Sequence, residues 1–140
     1  MEALLPFRRH PDTDVRYGVV FGLLPHSAPD SVSALIELSA DADEDVRNWA
    51  TFGLGSMDSV DTPLLREALV RRLNDTNAEI RGEALVGLAQ RKDPRVVEPL
   101  RRELAVEDVG LLAVEAAESL GDPSLLPLLQ ARRDRAGDAT

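Results

Sequence analysis

Residues 43–55 read DEDVRNWATFGLG, and the placing of small and apolar side chains in this stretch decides the fold. At about 100° per residue, Val46, Ala50, Gly53 and Leu54, with Met57 just beyond, fall on one face of a helix. Asp43 stands three residues before Val46, where an N-cap is needed. The stretch recurs. Asp14-Val15-Arg16 repeats Asp45-Val46-Arg47, and Glu79-Ile80-Arg81 is its conservative copy. A leucine follows each Val or Ile by eight residues (Leu23, Leu54, Leu88), and Leu112 with Leu120 adds a fourth pair at the same gap. The key positions 15, 46, 80 and 112 are spaced by 31, 34 and 32 residues, the period of an array of helical hairpins.

The other copies carry the same face: Val15, Val19, Gly22 and Leu23, then Ile80, Ala84, Gly87 and Leu88, then Leu112, Ala116, Ser119 and Leu120. Asp12 and Asn77 repeat the cap of Asp43. Second helices are announced by Thr62-Pro63, Asp93-Pro94 and Asp122-Pro123, a cap residue followed by proline where its missing N–H does no harm. Their apolar stripes are Val32/Leu35/Ile36, Leu65/Leu69/Leu73, Val97/Leu100/Leu104 and Leu125/Leu128/Leu129. Gly55 and Gly121 suit the left-handed position just past a helix. The seventh residue after each key position is small (Gly22, Gly53, Gly87, Ser119). Because glycine inside a helix costs about 1 kcal/mol against alanine, close approach of two helix backbones is expected there. No strand pattern competes. The expected fold is all-α, an α-solenoid with a right-handed superhelical stack of about four hairpins, preceded by a short apolar piece (Leu4, Leu5, Phe7). It forms one domain, 1–135, with repeats near 12–39, 43–73, 77–105 and 109–133, and a disordered tail at 136–140.

Composition limits what such a stack does. The chain has 140 residues, 44% of them hydrophobic but only 4% aromatic, so the core is built from Leu, Val and Ala. There is no cysteine, which removes disulfides and thiolate metal sites. The N-terminal residues show neither a secretory signal nor a membrane span, and a cytoplasmic protein without membrane partners is expected. Net charge is −9, concentrated in the first half, which disfavours nucleic acid as a partner. Fifteen of the sixteen basic residues are Arg, as a GC-rich bacterial genome would produce.

Taken together, Asp43 to Gly55 resembles the first helix of HEAT repeats, in particular the bacterial HEAT-like kind first associated with phycobilin lyases. Segments such as Pro94-Arg-Val-Val-Glu-Pro-Leu and Leu125-Leu-Pro-Leu-Leu are similar to the second helix, and the resemblance extends from about Asp12 to Arg133. It implies a scaffold or adaptor that binds another protein, with no catalytic residue and no cofactor. A bilin-lyase-like enzyme subunit is the alternative, and a nucleic-acid-binding protein of the alkylpurine-glycosylase kind a more distant one. The family's arginine maps onto Arg16, Arg47 and Arg81, with Ala113 in the fourth unit. The resemblance implies a structural ladder joining these to acids at the inter-repeat turns, with Asp12, Asp14, Asp43, Asp45 and Glu79 available.

Candidate chemistry is thin. The acidic run Asp41 to Asp45 lacks the glycine and glutamate of a calcium loop, having Val46 and Phe52 at those positions. Gly53-Leu54-Gly55 ends a helix instead of following a strand, with Asp58 at the third position of a dinucleotide fingerprint. His10 and His26 sit in turns without clustered ligands, so no metal is expected. Aromatic residues are more telling. Phe52 lies roughly 240° round from Val46, off the core face. Aligning equivalent positions across the repeats groups Tyr17, Phe21, Trp49, Phe52 and Val86 into an apolar ridge that gives way to Glu115 and Glu118. This ridge either packs between neighbouring first helices or forms a protein-binding surface. A second surface, expected on the concave side, is the row of second helices with Arg66, Arg71, Arg72, Arg101, Arg102, Arg132 and Arg133, mixed with Glu67, Glu98 and Glu103. Neither face encloses a pocket in this reading.

Overall fold

The computed structural model describes residues 3–57, 59–106 and 110–138, with side chains described as far as Arg132. After a 3-10 turn at Leu5–Arg9 come α1 (Thr13–Leu23), α2 (Pro29–Leu38), α3 (Glu44–Gly55), α4 (Pro63–Arg72), α5 (Ala78–Gln90), α6 (Val97–Ala105), α7 (Leu111–Leu120) and α8 (Leu126–Asp138). No strand occurs among the described residues. The helices pair as four hairpins whose order follows the sequence repeat, an α-solenoid. The start of the fourth repeat at 109, the Arg133 side chain and residues 139–140 lie outside the described set. The tail placed at 136–140 starts too early, because α8 continues to Asp138.

Local chemistry sets the helix boundaries. Asp43 accepts from the amides of Asp45 and Val46, Asn77 from those of Glu79 and Ile80, and Asp12 from that of Asp14. Thr62 caps α4 through the Leu65 amide. At Asp93-Pro94 and Asp122-Pro123 the chain makes a 3-10 turn first, and only then the α-helices α6 and α8. Gly121 is left-handed at φ 69°. Gly55 is not. It is the last residue of α3 and is buried.

The hairpins bury a continuous core in which Leu23, Leu35, Leu54, Leu69, Leu88 and Leu100 are fully enclosed. Inter-unit packing is uneven. Neighbouring first helices, α1–α3, α3–α5 and α5–α7, lie closer together than the second helices α2–α4 and α6–α8. Arg66, Arg71 and Arg72 lie on α4, and Arg101 and Arg102 on α6, in the row of second helices. The fourth unit is also turned relative to expectation. Ala113, Ala116 and Ala117 are buried, while Leu112, Ser119 and Leu120 are only partly so. Leu112 instead lies over Gly82, where an added Cβ would stand 2.8 Å from the Leu112 Cβ.

Two of the helical glycines, Gly55 and Gly87, mark one backbone-to-backbone approach. A Cβ on Gly87 would meet the Gly55 Cα at 2.8 Å. At Gly53 the space is taken by the Leu24 side chain, and at Gly22 by Leu4, so those glycines receive leucines from the preceding connection or turn. Gly18 in α1 has nothing within 4 Å. Two substitutions therefore have opposite expected signs. Gly18→Ala should gain about 0.5–1 kcal/mol from helix propensity alone. Gly87→Ala should lose about 1–2 kcal/mol, because overpacking exceeds that gain. Urea denaturation followed by circular dichroism gives both; a stabilised Gly87→Ala protein would refute the close approach.

Candidate functional site

The repeat arginines fix how one unit sits on the next. Arg16 Nε donates to Asp41 Oδ2 at 2.8 Å and Nη2 to Oδ1 at 3.2 Å, while Nη1 donates to the carbonyls of His10 and Pro11. Arg47 repeats this with Asp75, at 3.0 and 3.2 Å, and with the carbonyls of Asp41 and Ala42. Arg81 holds the carbonyls of Asp75 and Thr76 but reaches Glu103 of α6, at 2.7 Å. Each guanidinium thus grips the loop leading into its own helix and reaches an acid after the following second helix or, for Arg81, within it. Asp12 and Asp43, placed in this ladder by the sequence pattern, cap helix starts instead. Asp41 and Asp75 are the bidentate partners. These two acids also accept the amides of Asp43 and Asn77, and His10 Nδ1 takes the Asp12 amide in the first unit. The signal was in the sequence, five residues before each key position: His10, Asp41, Asp75.

On the solvent side of the first-helix row, the rings form a chain. Tyr17 and Phe21 have centroids 4.8 Å apart, Phe21 and Trp49 4.9 Å, and Trp49 and Phe52 5.6 Å in an edge-on arrangement. Tyr17 and Trp49 are half-buried against the core, but Phe21 and Phe52 remain 41% and 39% exposed. The ridge is partly packed and partly exposed. Its base packs between helices and its crest faces water. Beyond Phe52 the crest opens into a groove of about 290 Å³ whose lining includes Phe52, Glu83, Val86, Gln90, Leu112 and Glu115.

Glu83 occupies the position that Trp49 holds one unit earlier. Its carboxyl is pushed up to about 7, by burial first and then by the charges of Glu79 and Glu115. The folded value exceeds the ordinary 4.5, so folding favours the protonated form. Its stabilising contribution is complete below about pH 4.5 and is lost as pH rises through about 7. Glu83→Gln should therefore match wild type in stability at pH 4 and exceed it by about 1–2 kcal/mol at pH 8. Urea melts at the two pH values test this; an equal difference at both would remove Glu83 as the source.

The arginines of the second-helix row are mostly engaged. Arg66 donates to both oxygens of Asp61 at 2.6 Å and to Asp93 at 3.2 Å; Arg72 reaches Asp75 and Arg101 reaches Glu98. Arg71 and Arg102 are exposed and show no ion pair among the described residues. Asp93 is buried and also accepts from the Arg95 amide and guanidinium. The Arg95 hydrogen bond leads in holding its carboxyl down at about 2, against the cost of burial. A wider groove of about 750 Å³, lined in part by Arg81, Leu85, Arg102, Glu103, Leu111 and Leu112, lies between α5, α6 and α7.

Sequence reasoning passed over Arg91 and Lys92, which end α5 and clasp both its neighbours. Arg91 donates to Leu54 and Gly55 at the end of α3, to Met57 and Val60 in the next loop, and to Gly87. Lys92 donates to the carbonyls of Ser119 and Leu120 at the end of α7. Cations there complement the negative ends of two helix dipoles.

Comparison with known proteins places these features in context. The family model described as HEAT repeats matches residues 1–72. Protein YibA of Escherichia coli strain K12 is 39% identical over 117 residues, which cover 84% of this chain and 41% of YibA; YibA of Escherichia coli O157:H7 matches equally. The X-ray structure of Escherichia coli YibA has a TM-score of 0.81 at 34% identity, covering 93% of this chain and 48% of that one. The chain thus spans less than half the length of these relatives.

Proposed function

Because the chain belongs to the HEAT repeat family, a fold that presents long open faces, we propose that it is a non-catalytic, cytoplasmic module that docks another protein. The observation that carries this reading is the ring chain Tyr17–Phe21–Trp49–Phe52, exposed at Phe21 and Phe52 on the tighter-packed row of helices. Large aromatic side chains with a buried base and an exposed crest are pre-ordered anchors. They contribute contact area at low entropic cost, and such residues dominate protein interfaces. Fold alone assigns no function, and it is this face that supports the reading.

The test is Phe52→Asp. With its ring 39% exposed, this substitution should leave helix content and melting cooperativity close to wild type. Partner capture from the source lysate should fall by at least tenfold, because a charge replaces the crest of the ridge. Equal capture by both proteins would sink the reading, as would cooperative loss of helix, which would assign Phe52 to the core.

A further inference from the structure

Charge is divided between the two rows of helices in a way that restricts what the ridge accepts. The only cations on the first helices are Arg16, Arg47 and Arg81, and each is taken up by the ladder. Arg91 and Lys92, just past α5, are committed to helix ends. The same row carries exposed acids at Asp14, Glu44, Asp45, Glu79, Glu115 and Glu118, together with half-buried Glu83. Arginines that are not tied off, Arg71 and Arg102, belong to the second-helix row. The ridge therefore runs from aromatic rings on α1 and α3 to carboxylates on α5 and α7, with no available cation along it among the described residues.

We propose that this face docks a basic segment of a partner protein, apolar anchors lying across Phe21 and Phe52 and a Lys or Arg side chain entering the groove between Glu83 and Glu115. The inference rests on the docking reading above and adds the chemistry of the partner. Three arguments support it. An acidic segment would meet only like charge on α5 and α7, with nothing to offset its desolvation. The groove places carboxylates beside Phe52 and Val86, so the aliphatic stem of a long cation finds apolar walls while its head meets charge. Finally, burial and, after it, the charges of Glu79 and Glu115 push the Glu83 carboxyl up to about 7, and a cation in the groove offsets both by favouring the carboxylate. No charged group of α3 lines that groove. With adjacent helix axes about 9 Å apart, α1 to α7 covers about 27 Å, so an extended segment of about eight residues suffices.

The experiment is selection of random twelve-residue peptides on the whole chain, with counter-selection on Phe52→Asp and, as a milder second variant, Phe52→Ala. Peptides rich in Lys or Arg with an aromatic or aliphatic residue support the inference. Neutral or acidic peptides that still require Phe52 overturn it while leaving the docking reading intact. Peptides that bind wild type and both variants alike overturn both. A basic peptide so selected should shift the emission of the chain's single tryptophan, Trp49, which sits within the ridge. Its affinity should fall about tenfold in the Glu83→Gln/Glu115→Gln protein and fall further with added salt. An affinity unchanged by the double substitution counts against the cation's place in the groove.

Discussion

Replacing Arg91 by alanine is expected to cost about 3–5 kcal/mol of folding stability, a large share of what a domain of this size possesses. The side chain is 7% exposed, and its two terminal nitrogens serve carbonyls spread over α3, α5 and the loop between α3 and α4. The distances run from 2.8 Å to Gly87 and Met57 up to 3.2 Å to Leu54. Leu54 and Gly55 end α3, so their carbonyls have no partner within the helix. Met57 is buried and Val60 packs against the core, and the Leu54 and Met57 carbonyls also accept from the Met57 and Val60 amides, so the guanidinium adds to a turn that is already partly held. Each carbonyl left buried without a donor costs about 1–3 kcal/mol, reduced where water enters. Lysine retains the charge but concentrates its donors at one point, so Arg91→Lys should recover only part of the loss. Thermal and urea melts give the number, and the midpoint should drop by about 10 °C or more. A loss under about 1 kcal/mol would mean that the loop finds other donors and that the clasp is incidental.

The repeat itself was legible because its determinants are local. Asp12, Asp43 and Asn77 cap helices as their spacing requires, and the leucines eight residues after each key position are buried in the first three units. What escaped depends on geometry between units. Arg91 lies in no repeated position, and nothing in its neighbours along the chain tells that the end of α3 lies opposite. Gly55 looked like a left-handed terminator, since glycine after a helical stretch usually is one. The structure uses it for contact with Gly87 instead, a pairing visible only once α3 and α5 are side by side. Leu112 matched its register by spacing, yet with Ala113 in place of the ladder arginine α7 lacks the grip that orients the other first helices, and small side chains turn inward. The ridge was half legible. Period placed its five residues together, but whether the crest was covered depended on how far apart neighbouring helices lie.

Asp75→Ala should be nearly as damaging, at about 3–4 kcal/mol, for an electrostatic reason. The carboxylate is 3% exposed and accepts from Arg47 at 3.0 and 3.2 Å, from Arg72 at 3.3 Å and from the Asn77 amide at 3.0 Å. Alanine would leave two guanidinium groups, 13% and 19% exposed, facing an apolar gap at the seam between the second and third units. Asp75→Asn retains an acceptor for the Asn77 amide and should lose less. The pH dependence distinguishes this account from simple loss of packing. Burial pushes the Asp75 carboxyl up, but the hydrogen bonds from Arg47 and Asn77 and the charges of Arg47 and Arg72 outweigh it, leaving it below the ordinary 3.8. The depressed value means the contribution is present above about pH 4 and is lost as pH falls through the folded value. Wild type should therefore lose stability steeply in acid, where Asp41 and Asp93 are protonated as well. The alanine variant, already without one of these groups, should converge on wild type as pH falls from 6 toward 2. A difference that stayed constant across that range would trace the damage to the lost shape of the side chain, and the ladder would then hold the units by packing instead of charge.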